Sequence, residues 1–150
     1  MSQTDLILLD TSVVLHVVRG NEYAERIDKA YDLRGRAEKS LISVVTVGEC
    51  HSFAFRLGWG DAKREKLDEL LRELVIVDIH NATVLRHYAE IDAFSKKNGR
   101  ILSDNDTWIA ASARAANAVL LTTDKDFDPL DPRFIRHVYF PANAKVDAPS

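Results

Sequence analysis

Residues 5–18, DLILLDTSVVLHVV, decide the fold of this 150-residue chain. Leu6 to Leu9 form an unbroken apolar run between Asp5 and Asp10. A strand with one wet face alternates apolar and polar residues. An unbroken run marks a strand buried on both faces, as in a parallel sheet covered by helices. Thr11-Ser12 then offers a polar helix start, Val13 to Val18 continue the helix, and Gly20 stops it. Asp10 therefore stands at the carboxyl end of a buried strand, where open α/β sheets bind their ligands.

The same alternation repeats along the chain. Leu41 to Val44, Val75 to Val77 and Val119 to Thr122 read as further short strands, and His137 to Phe140 as a last one. Between them the spacing predicts helices over 22–37, from about Thr46 to Arg56, and from Asp61, which caps a helix with an apolar stripe at Leu67, Leu70, Leu71 and Leu74. Val84, Tyr88, Ile91 and Ser95 mark another, closed by Asn98-Gly99, and Asp106 to Asn117 the last. The expectation is an α/β chain: one three-layer α/β/α domain over residues 1–140 with a central parallel sheet of four to five short strands. Residues 141–150 lack apolar periodicity and read as a flexible tail.

Composition narrows the class. With 46% hydrophobic and 29% charged residues the chain is an ordinary globular domain. A single cysteine, Cys50, forms no internal disulfide, which fits a reducing cytoplasm. The Leu6–Leu9 run is too short for a signal peptide, and no segment approaches the ~20 apolar residues of a membrane span. A net charge of −3 is not that of a nucleic-acid coat protein, but allows an enzyme that touches few phosphates.

The acidic residues carry the chemistry. ILSDNDTWIAASA, residues 101–113, sets Asp104, Asn105 and Asp106 directly before an apolar helical run. Asp124 and Asp126 follow the fourth strand, and Glu49 falls about one turn into the helix after the second. All can meet Asp10 on one edge of the sheet. Taken singly, each has a plainer role. Aspartate is a favoured helix cap, Thr46-Val-Gly-Glu49 matches a capping box in which Glu49 bonds back to the Thr46 amide, and Asp124-Lys-Asp126 suits a turn. Together they favour a cation. Like charges at 4 Å repel by on the order of 1 kcal/mol per pair even in water, and a hard divalent ion turns that repulsion into coordination.

LLDTSVV (residues 8–14), SVVTVGE (43–49), NDTWIAA (105–111) and LLTTDKDF (120–127) stand in the order and spacing of the PIN-domain ribonucleases. The chain resembles these most closely in their VapC-type toxins. Over residues 5–140 the resemblance places the family's acidic quartet on Asp10, Glu49, Asp106 and Asp124, with Asp126 at a further, less constant acidic position. It implies that Asp10, Glu49, Asp106, Asp124 and Asp126 hold Mg²⁺ or Mn²⁺ and that water hydrolyses RNA to 5′-phosphate and 3′-hydroxyl ends. Asp104 supports Asp106 from outside or caps the helix. Thr11 or Ser12, with Thr122 and Thr123, orient the acids.

Other polar residues read more plainly. His16, His51, His80, His87 and His137 lack ligand spacing with one another, and Cys50 reads as a buried structural thiol. Trp108 suits core packing or a groove wall. For RNA phosphates the candidates are Arg19, Lys39, Arg56, Arg100, Arg114 and Lys125, each more often a solvated charge.

The resemblance further implies a homodimer, a tRNA or rRNA substrate, and a small VapB-type antitoxin whose C-terminal segment sends an arginine or lysine toward the acids. Phe53, Leu57, Trp59, Leu67 and Leu70 are candidate groove walls and equally suit the core or dimer contacts. Two alternatives keep the fold: an RNA-processing nuclease without antitoxin, and a non-catalytic scaffold. A phosphatase-like reading requires an acid two residues after Asp10, where Ser12 stands.

Overall fold

The computed structural model describes residues 5–100 and 102–142; Ile101 and most of the expected tail, residues 143–150, lie outside them. Five parallel strands, β1 (Ile7–Leu9), β2 (Leu41–Ser43), β3 (Val75–Val77), β4 (Val119–Thr122) and β5 (Arg136–Tyr139), form one sheet in the order β3-β2-β1-β4-β5. Six α-helices connect or flank them: α1 (Thr11–Arg19), α2 (Glu22–Tyr31), α3 (Val44–Arg56), α4 (Asp61–Glu73), α5 (Ala82–Lys97) and α6 (Asp104–Ala116). A 3₁₀ helix, Lys125–Leu130, follows β4.

The unbroken apolar runs are explained by which helices each strand residue meets. Ile7 and Leu9 pack with Val119 and Leu121 against residues of α1, α2, α3 and α4. Leu8 and Leu120 point the other way, into a cluster with Val84 and Ile91 of α5 and Ile109 and Ala113 of α6. Successive residues of β1 and β4 thus serve different helical layers and leave no position for water, whereas Val75 and Ile76 of the edge strand β3 are exposed. The strand order places β1 and β4 side by side near the middle of the sheet, with the register Leu9↔Leu121. That register brings the carboxyl ends of β1 and β4, hence Asp10 and Thr122, next to each other.

Several boundaries differ from expectation. Helix α2 stops at Tyr31 rather than Ala37, because Asp32 turns into the left-handed region at φ 47° and its amide closes on the Asp28 carbonyl. Helix α3 starts at Val44, two residues early, since Ser43 caps it by accepting from the Val45 amide at 3.1 Å. Helix α4 begins at Asp61 but its cap position is Gly60, with no side-chain bond. Helix α6 begins at Asp104, capped by Ser103, whose hydroxyl accepts from the Asp106 amide at 3.1 Å. Asp104, Asn105 and Asp106 therefore lie inside its first turn, not ahead of it.

Candidate active site

Each acid reaches the carboxyl edge of the sheet by its own segment. Asp10 follows β1 and caps α1: its Oδ1 accepts from the Thr11 amide at 2.8 Å. Its Oδ2 accepts from the hydroxyls of Ser12 at 3.0 Å and Thr122 at 2.7 Å. The cap is thus Asp10, one residue ahead of the expected Thr11-Ser12 start, and it uses one oxygen only. Thr122 in turn accepts from the Asp124 amide at 3.0 Å, and Ser12 from the Thr123 amide at 3.3 Å, so β1 and β4 are laced together through Asp10. Asp124 caps the 3₁₀ helix by accepting from the Asp126 amide at 2.9 Å.

Glu49 is placed otherwise than a capping box requires. Its Oε1 accepts from Thr11 Oγ1 at 2.6 Å, and its Oε2 from the Asn105 amide Nδ2 at 3.0 Å. With the Thr11 proton committed to Glu49, the 3.0 Å contact between Thr46 Oγ1 and Thr11 Oγ1 is a bond donated by Thr46. A buried hydroxyl relay thereby holds the carboxylate in place, and the Thr46–Glu49 cap is not formed.

Asp10, Glu49, Asp106 and Asp124 line one cavity of about 290 Å³, together with Thr11, Ser12, Leu15, His16, Arg19 and Phe53. Among the described residues, Asp106, Asp124 and Asp126 can each offer an oxygen within 4.8 Å of the others. Burial pushes the Asp10 carboxyl up from the usual 3.8 to about 6; its bonds from Thr122, Ser12 and Thr11 resist this, and the Asp124 charge adds to it. Asp106 rises to about 7, first through burial and then through the charges of Asp10 and Asp124. Asp126 is also raised, by burial and by the Asp124 charge. The protein thus holds several carboxylates where their ionised forms are costly, through burial and through one another's charge. An all-carboxylate oxygen set is what a hard divalent cation prefers, so the residues fit such an ion.

Residues 7–131 match the PIN domain family. The chain is 30% identical over 122 residues to Ribonuclease VapC1 of Haemophilus influenzae (strain R2866), covering 78% of this chain and 85% of that protein. The chain belongs to the PIN-domain family, in its VapC branch. Ribonuclease VapC2 of Rickettsia felis is 26% identical over 123 residues, covering 81% of this chain and 90% of its own length. Among solved structures, VapBC2 from Rickettsia felis bound to a promoter DNA fragment aligns with a TM-score of 0.75 at 22% identity, over 90% of this chain and 98% of that one. VapBC-1 from nontypeable Haemophilus influenzae gives 0.74 at 23%, over 89% and 97%. These likenesses establish the PIN fold.

Within this PIN domain the remaining expectations sort themselves. Asp104 is exposed, turns from the cavity and accepts from the Tyr88 hydroxyl at 3.0 Å. Asn105, read only as one of three acceptors, instead donates to Glu49; the first-turn placement of the three residues was the signal for it. Cys50 is fully buried and its thiol is pushed up to about 12 by burial, then by Glu49 and Asp10, so it is no nucleophile. Trp108 stacks on Tyr88 with centroids 3.9 Å apart and packs on the core.

Of the basic candidates, only Arg19 lines the acidic cavity. Arg56 lines the adjoining hollow with Glu49 and Asn105, its guanidinium over the Phe53 ring. Lys125 and Arg100 border a separate hollow with Asp126. Arg114 is tied to His87 and to the carbonyls of Arg133 and Phe134, and Lys39 precedes β2 at the opposite edge. Of the candidate groove walls, Trp59, Leu67 and Leu70 are core residues; Phe53 lines the cavity and Leu57 is exposed.

Proposed function

We propose that this PIN domain is a divalent-metal-dependent endoribonuclease that hydrolyses RNA as the toxin of a toxin–antitoxin pair. The observation that carries the reading is the convergence of Asp10, Glu49, Asp106 and Asp124, from four separated segments, on one cavity, with two of them raised far above the usual carboxylate range. Asp10, Glu49, Asp106, Asp124 and Asp126 would hold Mg²⁺ or Mn²⁺. A bound divalent ion supplies charge stabilisation to the phosphate and makes hydroxide available near neutral pH.

The chain's own residues do the rest. Thr122 and Ser12 fix the plane of the Asp10 carboxylate, so its geometry is set before substrate enters. Thr11 and Asn105 immobilise Glu49, whose remaining lone pairs orient the attacking water and accept its proton. Attack at phosphorus opposite the 3′ oxygen expels that oxygen, which takes a proton from solvent. The products carry a 5′-phosphate and a 3′-hydroxyl.

The ribonuclease names of the VapC relatives support RNA as substrate; tRNA or rRNA as its class is what the family resemblance implies. The solved neighbours include VapBC assemblies and a toxin–antitoxin complex from Klebsiella pneumoniae, which supports a VapB-type antitoxin as partner; a homodimer is what the family resemblance implies. Among the described residues no helix is long and apolar enough to cross a membrane, in keeping with work in the cytoplasm. The test is cleavage of total cellular RNA with Mg²⁺ or Mn²⁺. Wild type should cut and Asp106→Asn, equally folded, should not; equal cutting by both would overturn the reading.

A further inference from the structure

His16 lies on α1 one turn beyond Ser12, with Arg19 a further turn on, and both line the acidic cavity. The side chain of Asn21 caps α2, its Oδ1 accepting from the Ala24 amide at 3.2 Å. This fixes which way the Asn21 amide faces, so the group 2.6 Å from His16 Nδ1 is its Nδ2, a donor only. His16 Nδ1 must therefore accept, and the ring proton sits on Nε2. The Tyr23 ring stacks on the imidazole at a centroid distance of 4.2 Å, and the Arg26 guanidinium covers Tyr23 at 4.9 Å. Ring plane and tautomer are both determined from outside the cavity, by residues of α2 and its cap.

Resting on the ribonuclease reading, we infer that His16 is a substrate-binding residue that donates its Nε2–H to a phosphodiester oxygen of the RNA strand lying in the cavity, beside the Arg19 guanidinium. Among the described residues its one side-chain hydrogen bond is to Asn21, which leaves Nε2 as the side-chain polar atom available to an occupant. Burial, then the charges of Arg19 and Arg26, push the imidazole below its usual range and hold it neutral. A neutral donor suits this place. With Nδ1 accepting from Asn21, the neutral ring keeps its single proton on Nε2, where a phosphate oxygen can accept it. Asn21 is then a positioning residue, acting through the tautomer of His16.

The test compares His16→Phe, which keeps the ring stacked on Tyr23, with His16→Gln, whose amide restores a donor near Nε2. With Mg²⁺ and a fluorescein-labelled tRNA, His16→Phe should raise KM about tenfold with kcat changed less than twofold, the effect of losing one hydrogen bond to a charged oxygen. Binding of the same RNA in EDTA should weaken by a similar factor, and His16→Gln should recover most of both. Two-bond ¹H–¹⁵N spectra of wild type should show the Nε2–H tautomer, and Asn21→Ala a mixture. An Nδ1–H tautomer, or wild-type KM in His16→Phe, overturns the inference while leaving the ribonuclease reading intact. Absence of RNA cleavage by wild type overturns that reading and this inference with it.

Discussion

Replacing Asp106 with asparagine should abolish cleavage and make the metal-free protein more stable. The carboxyl of Asp106 is raised from 3.8 to about 7, through burial and then the charges of Asp10, Asp124 and Glu49. A carboxyl whose folded value lies above its unfolded one is a penalty on the fold. That penalty is full above about pH 7, shrinks as the pH falls, and is gone below the unfolded value. At 1.36 kcal/mol per unit the whole shift would amount to about 4 kcal/mol. Asp106 is only half-buried, and solvent screening reduces this to about 1–2 kcal/mol. For a domain of this size each kcal/mol moves Tm by about 2–4 °C, so the variant should melt about 2–8 °C higher. The assay is thermal denaturation followed by circular dichroism in EDTA near pH 8. The gain should shrink by more than half near pH 5, where the wild-type carboxyl is already protonated in the fold. Adding Mg²⁺ should close the gap by stabilising wild type alone. An asparagine variant no more stable than wild type in EDTA would refute the view that these carboxylates are held together at the expense of the fold.

Three other perturbations probe the supports. Thr122→Val keeps the shape of a fully buried residue but removes its bonds to Asp10 and from the Asp124 amide; urea denaturation should show a loss of about 1–3 kcal/mol, with reduced cleavage. Leu8→Ala, at a fully buried position of β1 facing α5 and α6, should cost about 2–5 kcal/mol in the same measurement. His137 is bonded to Asp131 and Asp128; burial lowers its pKa, but those bonds and charges outweigh burial and raise it above 6.5. Its stabilising share is therefore complete below 6.5 and fades as the pH climbs through the raised value. His137→Gln should destabilise more near pH 6 than near pH 9, as read by Tm at the two pH values.

The fold was legible because its strands serve two helical layers at once, and that leaves unbroken apolar runs such as Leu6–Leu9 and Val119–Leu121. Helix ends were less so. Ser43 and Ser103 are ordinary caps hidden beside more conspicuous residues, Thr46 and Asp104, and propensity alone does not rank them. The same two shifts decide the site, because an earlier start for α6 swings Asp104 out to Tyr88 and Asn105 in to Glu49. Asp10 and Asp124 stand out because each sits just past a strand end, whereas Glu49 comes to the same cavity from within α3 and Asp106 from the first turn of α6. Thr11 or Ser12, with Thr122 and Thr123, are expected to orient the acids, but which acid each one bonds could not be read. The Thr11–Glu49 bond joins residues 38 apart, and Thr122–Asp10 residues 112 apart, and no local spacing encodes either. His16 lacked a partner histidine, and its partner proved to be the cap of the next helix.

The central claim is that carboxylates here direct water, not a ribose hydroxyl, at the RNA phosphate. End-group analysis of the RNA fragments released with Mg²⁺ or Mn²⁺ tests this most directly. Fragments bearing 5′-phosphate and 3′-hydroxyl ends, absent with Asp106→Asn or EDTA, are the expected result. Fragments ending in 2′,3′-cyclic phosphate, or cleavage that persists in EDTA, would contradict it.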